Sequence, residues 1–402
     1  MKRLLFTSTL AIAVAACDAP QKVPSAPEIE SAEHPLLVAV AAINASDLYE
    51  ELDGLKVGQS VESALDLGEL GVHAVDIERT PLVPDGFTAD IVDARGEVTA
   101  ISVPARSFRA TSEADDLRLD FLVEPGRIAG VLRHEEQEYT LGGPDDDAAV
   151  VGQPGLGILR APREEEPGHG DGVCGDPVAG TPWTNALDST DQPTGTPRSQ
   201  CWKLEVRTHA DYEFFVGVGD SNYNTAVWKV LEGLVGGSKK FGVINLDLAL
   251  PQGGGVTILT APQNPLYYPT SHDSAKLLQQ LGDFWNYFHP GVSRDAVLLF
   301  SGKNIHYNGN YANIGLAHLG EVCSDLNHSY AVVEARTMGM NTYNTVAHEV
   351  GHLLDAGHAG AGLMMAAIGS SDLQFSQSSR DQMNSHIWYH HACMPMAACT
   401  AE

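Results

Sequence analysis

Three histidines and a glutamate near the C-terminus stand at a spacing that could hold a metal ion and put it to work on water. They lie in His348-Glu349-Val350-Gly351-His352-Leu353-Leu354-Asp355-Ala356-Gly357-His358. On a helix, residues four apart share a face about one turn from each other. His348 and His352 can therefore aim two imidazoles at one ion while Glu349 projects beside them. Neutral imidazoles suit zinc, and a carboxylate beside zinc can serve as a general base. The helix should break near Asp355 to Gly357, and the turn could swing His358 back as a third ligand, leaving a fourth position for water or substrate. The five-residue core of this pattern also fits a surface helix with two solvated histidines; the third histidine is what raises its specificity. No glutamate occurs between Glu349 and Glu402, which disfavours a downstream Glu ligand. An aspartate ligand, Asp355, Asp372 or Asp381, stays open but would have to ignore His358.

Such a helix needs a sheet to lie on. Ala347, Val350, Gly351 and Leu354 give it a small, apolar side for that purpose. From about Cys201 the pattern alternates. Trp202 to Val206 reads as a strand, and Ala226, Val227, Val230, Leu231 and Leu234 mark one face of a helix. Ile244, Leu246, Leu248 and Leu250 alternate as a strand, and Leu277 to Phe288 fit a second amphipathic helix stopped by Pro290. Ala296 to Phe300, Ile314 to Leu319 and Tyr330 to Val333 supply further strands, so 201–402 reads as an α/β domain. Residues 35–141 look β-rich after a short, helical start, with Leu117, Leu119, Phe121 and Val123 alternating, and hold no catalytic constellation. Residues 142–200 shift to Gly, Pro, Asp and Glu and read as a linker or a segment laid over a neighbour.

With 402 residues, two domains are expected. A formal charge of −28 opposes binding to phosphate backbones, so nucleic acid is not an expected partner. Residues 1–17 read as a signal peptide: Lys2-Arg3, an apolar run from Leu4 to Ala16, then Cys17. Val14-Ala15-Ala16-Cys17 resembles a bacterial lipobox, which makes Cys17 the lipidated residue and 18–34 a tether. The expected location is the cell envelope, facing the periplasm or exterior, with membrane contact through the N-terminal lipid only. Export would place the remaining Cys174, Cys201, Cys323, Cys393 and Cys399 where disulfides form. Five is an odd number, so at least one thiol should be free or differently employed.

From roughly Cys201 to Cys393 the chain resembles the reprolysin-like (adamalysin) branch of the metzincin zinc peptidases. The likeness rests on the long histidine motif, on Gly362-Leu363-Met364-Met365 and on Ile314-Gly315-Leu316-Ala317-His318-Leu319-Gly320-Glu321-Val322-Cys323. It continues in Phe375-Ser376, Ser379-Arg380-Asp381-Gln382 and Cys393. Asp355 and Ala359 depart from the family, which usually has Gly and Asp there, so a bacterial cousin is the fitting label. The resemblance implies an α/β (α+β) metzincin-like catalytic domain with a mixed, twisted sheet, preceded by a β-rich prodomain-like domain. It implies Zn2+ as cofactor, protein or peptide substrates, a Met-turn at Met364, and a Cys323–Cys393 disulfide. Leu316, Ala317, His318 and Leu319 would accept substrate backbone by strand addition. Family prodomains end in a Cys-Gly element whose thiolate occupies zinc's open position, and Asp171-Gly172-Val173-Cys174-Gly175-Asp176 is the matching stretch. Cys174 is then a candidate cysteine switch, with a Cys174–Cys201 disulfide as the competing assignment; without Cys174, four cysteines suffice for Cys323–Cys393 and Cys201–Cys399. Loss of the prodomain would carry the lipid away and release the protease. The rival expectation is a surface lipoprotein whose N-terminal domain is a permanent binding module beside a catalytically weak zinc domain.

Overall fold

The alternating run Leu117–Glu124 forms an inner strand of an antiparallel sheet in the computed structural model. The structure describes residues 41–135, 137–142, 156–160, 172–175, 178–179, 200–262, 271–292, 294–368 and 374–398. Cys17, the tether at 18–34, Asp372 and Cys399 lie outside these residues. All described residues belong to one compact unit, and no helix among them is long and apolar enough to cross a membrane.

In chain order, the N-terminal part contributes β1 (Ala41–Asn44), α1 (Ala45–Leu52), β2 (Ser60–Asp66), β3 (Val72–Arg79), β4 (Thr88–Val92) and β5 (Val98–Ser102). It continues with β6 (Arg106–Ser112), β7 (Leu117–Glu124), β8 (Arg127–His134), β9 (Gln137–Gly142) and β10 (Leu156–Arg160). Eight of these strands make one antiparallel sheet in the order β1-β10-β9-β8-β7-β6-β3-β2. Leu48 and Leu52 of α1 close one face over Ile77, Phe108, Phe121 and Leu132. Asn44 starts α1 by accepting the Ser46 amide at 3.0 Å, satisfying one of the helix's orphan donors.

The remaining elements are β11 (Gly172–Cys174), β12 (Val178–Ala179), β13 (Gln200–Ala210), α2 (Tyr212–Gly217), α3 (Tyr223–Lys239), β14 (Leu246–Ala249), β15 (Gly253–Leu259) and α4 (Ser274–Phe288). They end with β16 (Ala296–Ser301), β17 (Asn313–Leu319), β18 (Tyr330–Glu334), α5 (Met340–Leu353), β19 (Ala367–Ile368), α6 (Gln377–His390) and β20 (Met396–Ala398). A mixed sheet runs β19-β11-β17-β18-β16-β13-β15-β4-β5, with β12 also on β17 and both β14 and β20 on β13. Its centre is parallel (β18, β16, β13, β15) and its β17 edge is antiparallel to β18. All six residues of β16 are buried, as a parallel strand covered on both faces requires.

One feature differs from the sequence reading. The hairpin β4–β5, which falls within the N-terminal β-rich stretch, leaves its own sheet and pairs with β15 of the C-terminal sheet. The stretch read as a linker or a segment laid over a neighbour supplies β10 to one sheet and β11 and β12 to the other, because extended backbone can be ordered by a neighbour's open edge without a core of its own. Leu82, Val83, Phe87, Ala89, Val103 and Ala105 accordingly share one apolar core with Leu204, Val206, Leu231 and Val256. Charge is buried there too. Glu138 of β9 is 1 % exposed and pairs with Lys239 and, at 2.9 Å, with Lys240. Arg109 bridges Asp120 at 2.8 Å and Asp247 of β14 at 3.1 Å. Cys323 and Cys393 are bridged with Cα atoms 5.9 Å apart, Cys201 is also disulfide-bonded, and Cys174 is free and buried.

Helix α5 must lie close to α3 to reach its place under the sheet edge. Gly233, Gly236 and Gly237 in the C-terminal half of α3 are weak helix formers, costing up to about 1 kcal/mol each relative to Ala, and the close approach offsets it. A Cβ on Gly236 would enter the Tyr343 ring, and one on Gly237 would strike Val346. Tyr343 is fixed there by donating to Glu232 at 2.6 Å. Gly236→Leu should push α3 and α5 apart and lower stability by about 1–3 kcal/mol, read as a shifted urea denaturation midpoint; an unchanged midpoint would contradict this packing.

Candidate metal centre

Helix α5 starts at Gly339, whose φ of 148° lies where a side chain is disfavoured. It then runs inward with Val346, Ala347, Val350 and Leu353 against the core. The consequence is complete burial of its functional face: His348, Glu349 and His352 are each 0 % exposed. Buried imidazoles must be tethered, and these are. Nδ1 of His348 donates to the Leu363 carbonyl at 2.7 Å, and Nδ1 of His352 donates to the Ala356 carbonyl at 2.7 Å. Each bond fixes a tautomer in which Nε2 carries the lone pair, and neither Nε2 has a hydrogen-bond partner among the described residues. Burial holds His348 well below the usual imidazole range and His352 down at about 3, so both rings are neutral, the form that ligates metal.

The end of α5 brings in the third ring. The Asp355 amide donates to the His352 carbonyl and the Ala356 amide to the Gly351 carbonyl, both at 2.9 Å, with Asp355 left-handed at φ 70°. This is a Schellman stop, with aspartate where glycine is usual. It reverses the chain, presents the Ala356 carbonyl to His352, and returns His358 to the site. Ring centroids of His348, His352 and His358 lie 4.5, 4.9 and 5.4 Å apart, and their ligand atoms lie within 4.8 Å of one another. Asp355 and Asp381 are exposed and belong to no such cluster among the described residues. Met364 is 0 % exposed and sits against Gly351, where an added Cβ would approach its sulfur to 2.8 Å. The turn it occupies supplies the Leu363 carbonyl that orients His348.

The thiol of Cys174 reaches the same point. β11 pairs parallel with β17, Cys174 opposite Gly315, and antiparallel with β19 on its other side. The Cys174 amide donates to the Ala366 carbonyl at 2.8 Å and the Gly175 amide to the Gly315 carbonyl at 3.1 Å. Further along, Val178 and Ala179 pair parallel with His318 and Leu319. Strand β17 thus carries β11 along Asn313 to Gly315 and β12 along His318 and Leu319. Its Leu316 and Ala317 side chains are buried, and the His318 ring is half-buried, 5.3 Å from His328. Cys174 is 3 % exposed, and its ligand atom lies within 4.8 Å of those of His348 and Glu349. Burial and then the Glu349 charge push the thiol well up; burial likewise pushes the Glu349 carboxyl well up. Neither Glu349 oxygen makes a hydrogen bond of ordinary geometry among the described residues. A carboxylate, a thiol and three imidazole rings crowded together form a donor set that fits a divalent, thiophilic ion such as zinc.

Sequence reasoning missed the groups that hold this set in place. The Leu363, Ala356 and Ala366 carbonyls are backbone atoms with no side-chain signature. The one legible hint was Gly315 in the edge strand, a residue that strands avoid unless something approaches closely.

Residues 203–387 match the model of the Reprolysin_5 family, described as metallo-peptidase family M12. The structure resembles the crystal structure of metalloproteinase-II from Bacteroides fragilis, with a TM-score of 0.51 and 12% sequence identity, over 86% of this chain and 96% of that one. At that identity the likeness concerns the fold. No curated protein matches the chain by sequence.

Gly315 leaves the room that Glu349 occupies, since a Cβ there would run into the carboxylate. Gly315→Ala should displace Glu349 while leaving the three histidines as they are. Zinc content by metal analysis should stay unchanged, and peptide hydrolysis by the activated protein should fall about 10²-fold. Loss of the metal together with activity would mean that the glycine serves the fold instead.

Proposed function

We infer that this chain, which through residues 203–387 belongs to the reprolysin-like M12 metallopeptidases, is a zinc-dependent endopeptidase made in a latent form. The observation that carries the reading is the pair of buried Nε2 atoms on His348 and His352, each aimed by a bond from its own Nδ1. Two buried ring nitrogens without a hydrogen-bond partner among the described residues cost free energy as they stand, and a cation between them and His358 removes that cost. His348, His352 and His358 would hold the zinc. Bound there, zinc supplies a Lewis acid that lowers the pKa of water and polarises a peptide carbonyl.

The chain's own groups do the rest. Strand β17 presents backbone donors and acceptors on its outer edge, so an extended peptide can dock by strand addition along Leu316, Ala317, His318 and Leu319. That fixes the scissile bond beside Glu349. The Glu349 carboxylate takes the proton of the attacking water and delivers it to the leaving amine; its raised pKa suits both halves of that transfer.

Latency follows from who holds the edge. Strands β11 and β12 take positions a substrate would need, and Cys174 brings to the site a sulfur that is a good zinc ligand once deprotonated. Gly175 matters to this docking because a Cβ there would meet Leu316 at 2.8 Å and Tyr307 at 3.2 Å. We further propose that Cys17 is lipidated, which makes the N-terminal lipid the membrane attachment and the cell envelope the location.

Glu349→Gln should keep zinc and lose turnover by about 10²–10⁴-fold; retained activity would remove Glu349 from the mechanism. Cys174→Ala in the uncut full-length chain should raise basal cleavage of a quenched fluorescent peptide at least tenfold. A basal rate equal to that of the uncut wild type would show that the thiol does not enforce latency.

A further inference from the structure

We propose that the N-terminal sheet is a permanent, non-covalent subunit of the enzyme, and that activation removes only the segment carrying Cys174. The second half of this proposal rests on the latent-peptidase reading; the first half rests on packing alone.

Three independent contacts tie the N-terminal part to the C-terminal part. The first is backbone pairing: β4 adds to β15 in parallel from Ala89 to Val92, and β5 covers β4 in turn. Without the hairpin, β15 would be a bare parallel edge, an arrangement that soluble proteins avoid. The second is apolar: Phe87 and Ala89, both 0 % exposed, and Leu122 and Ala129 belong to the same core as Leu204, Val206 and Leu231. Val131 packs separately on Met340 and Tyr343, at the start of α5 itself. The third is buried charge. Glu138 faces the Lys239 and Lys240 ammoniums at the end of α3, and Arg109 reaches Asp247 across the same boundary. Departure of the N-terminal sheet would strip the carboxylate from two nearly unexposed lysines, which is strongly disfavoured.

The strand with Cys174 is tied differently. β11 and β12 pair only with β17 and β19 among the described residues, and neither belongs to the eight-stranded sheet. Between residues 161 and 199 the basic residues are Arg163 and Arg198, one on each side of Cys174. Cuts after both would free residues 164–198 and leave two chains sharing one core. The two duties assigned to a prodomain, completing the fold and blocking the site, thus fall to different segments. A lipid on Cys17 would keep hold of the cut enzyme.

The test is brief trypsin treatment of the full-length chain, followed by size exclusion at 0.15 M and 1 M NaCl with mass spectrometry of each peak. The expected result is one peak at both salt concentrations holding both large fragments, with at least nine-tenths of the N-terminal fragment retained and residues 164–198 gone. Separate elution of the N-terminal fragment, with the C-terminal fragment still folded, overturns the proposal. If trypsin attacks the sheet itself, a chain with a specific protease site at each of the two positions replaces it and is judged by the same outcomes. In the cut protein, Glu138→Ala should speed release of the N-terminal fragment at least tenfold; if that variant does not fold, Val131→Ser serves, with the same expectation. An unchanged release rate overturns the interface assignment. A retained complex that cleaves no peptide defeats the peptidase reading and leaves the retention standing, whereas a free, active C-terminal fragment does the reverse.

Discussion

Burial of one helical turn is the constraint on which the rest of this structure depends. His348, Glu349 and His352 are fully enclosed, and polar groups without water must be paired, neutralised or bound to an ion. The molecule answers in part with backbone. The Met364 turn offers the Leu363 carbonyl, and the Schellman stop offers that of Ala356, so each ring has one nitrogen bonded and the other released. Every neighbour of α5 is shaped by the same demand. Gly236 and Gly237 let α3 come close, Gly351 admits Met364, and Gly315 makes space for the carboxylate. A glycine is weak as a helix or strand former, and each of these is placed where its lack of a side chain is the useful property.

Strand β17 runs past the buried turn, with its Gly315 against Glu349. β11 and β12 pair with it in parallel sense, and Gly172 and Val173 of β11 also pair with β19. Backbone pairing carries no information about sequence, so specificity for this segment must come from its side chains. Cys174 and Gly175 are the two whose surroundings leave little latitude, the first because it meets Glu349 and His348, the second because Leu316 and Tyr307 close over it.

The N-terminal half is bound up with the fold more closely than a cover would be. Its hairpin continues the C-terminal sheet, its Val131 touches the helix that bears the site, and its Glu138 neutralises the end of α3. Burial pulls Lys239 down to about 8, with Glu138 beside it acting in the opposite direction. The N-terminal sheet thus touches both α3 and α5, the helix that bears His348, Glu349 and His352.

The residues that could bind metal were legible in the sequence because their chemistry and their spacing are both local. His348 and His352 share a face by helical geometry, and the alternation of Leu117 to Val123 or the apolar run of Ala296 to Phe300 declares a strand from neighbours a few residues away. Even the return of His358 was signalled by the break at Asp355 to Gly357. What the sequence left undecided was every pairing between distant segments. Nothing in Thr88 to Ser102 says that this hairpin abandons the sheet of its neighbours for β15. Cys174 carried two assignments until its burial as a free thiol against Glu349 separated them. The acidic, glycine-rich composition of 142–200 allowed a linker or a segment laid over a neighbour, yet could not show which open edges would receive β10, β11 and β12. Local periodicity specifies an element, whereas pairing across the chain depends on which edge and which cavity remain open after the others have packed, and only the tertiary structure decides that.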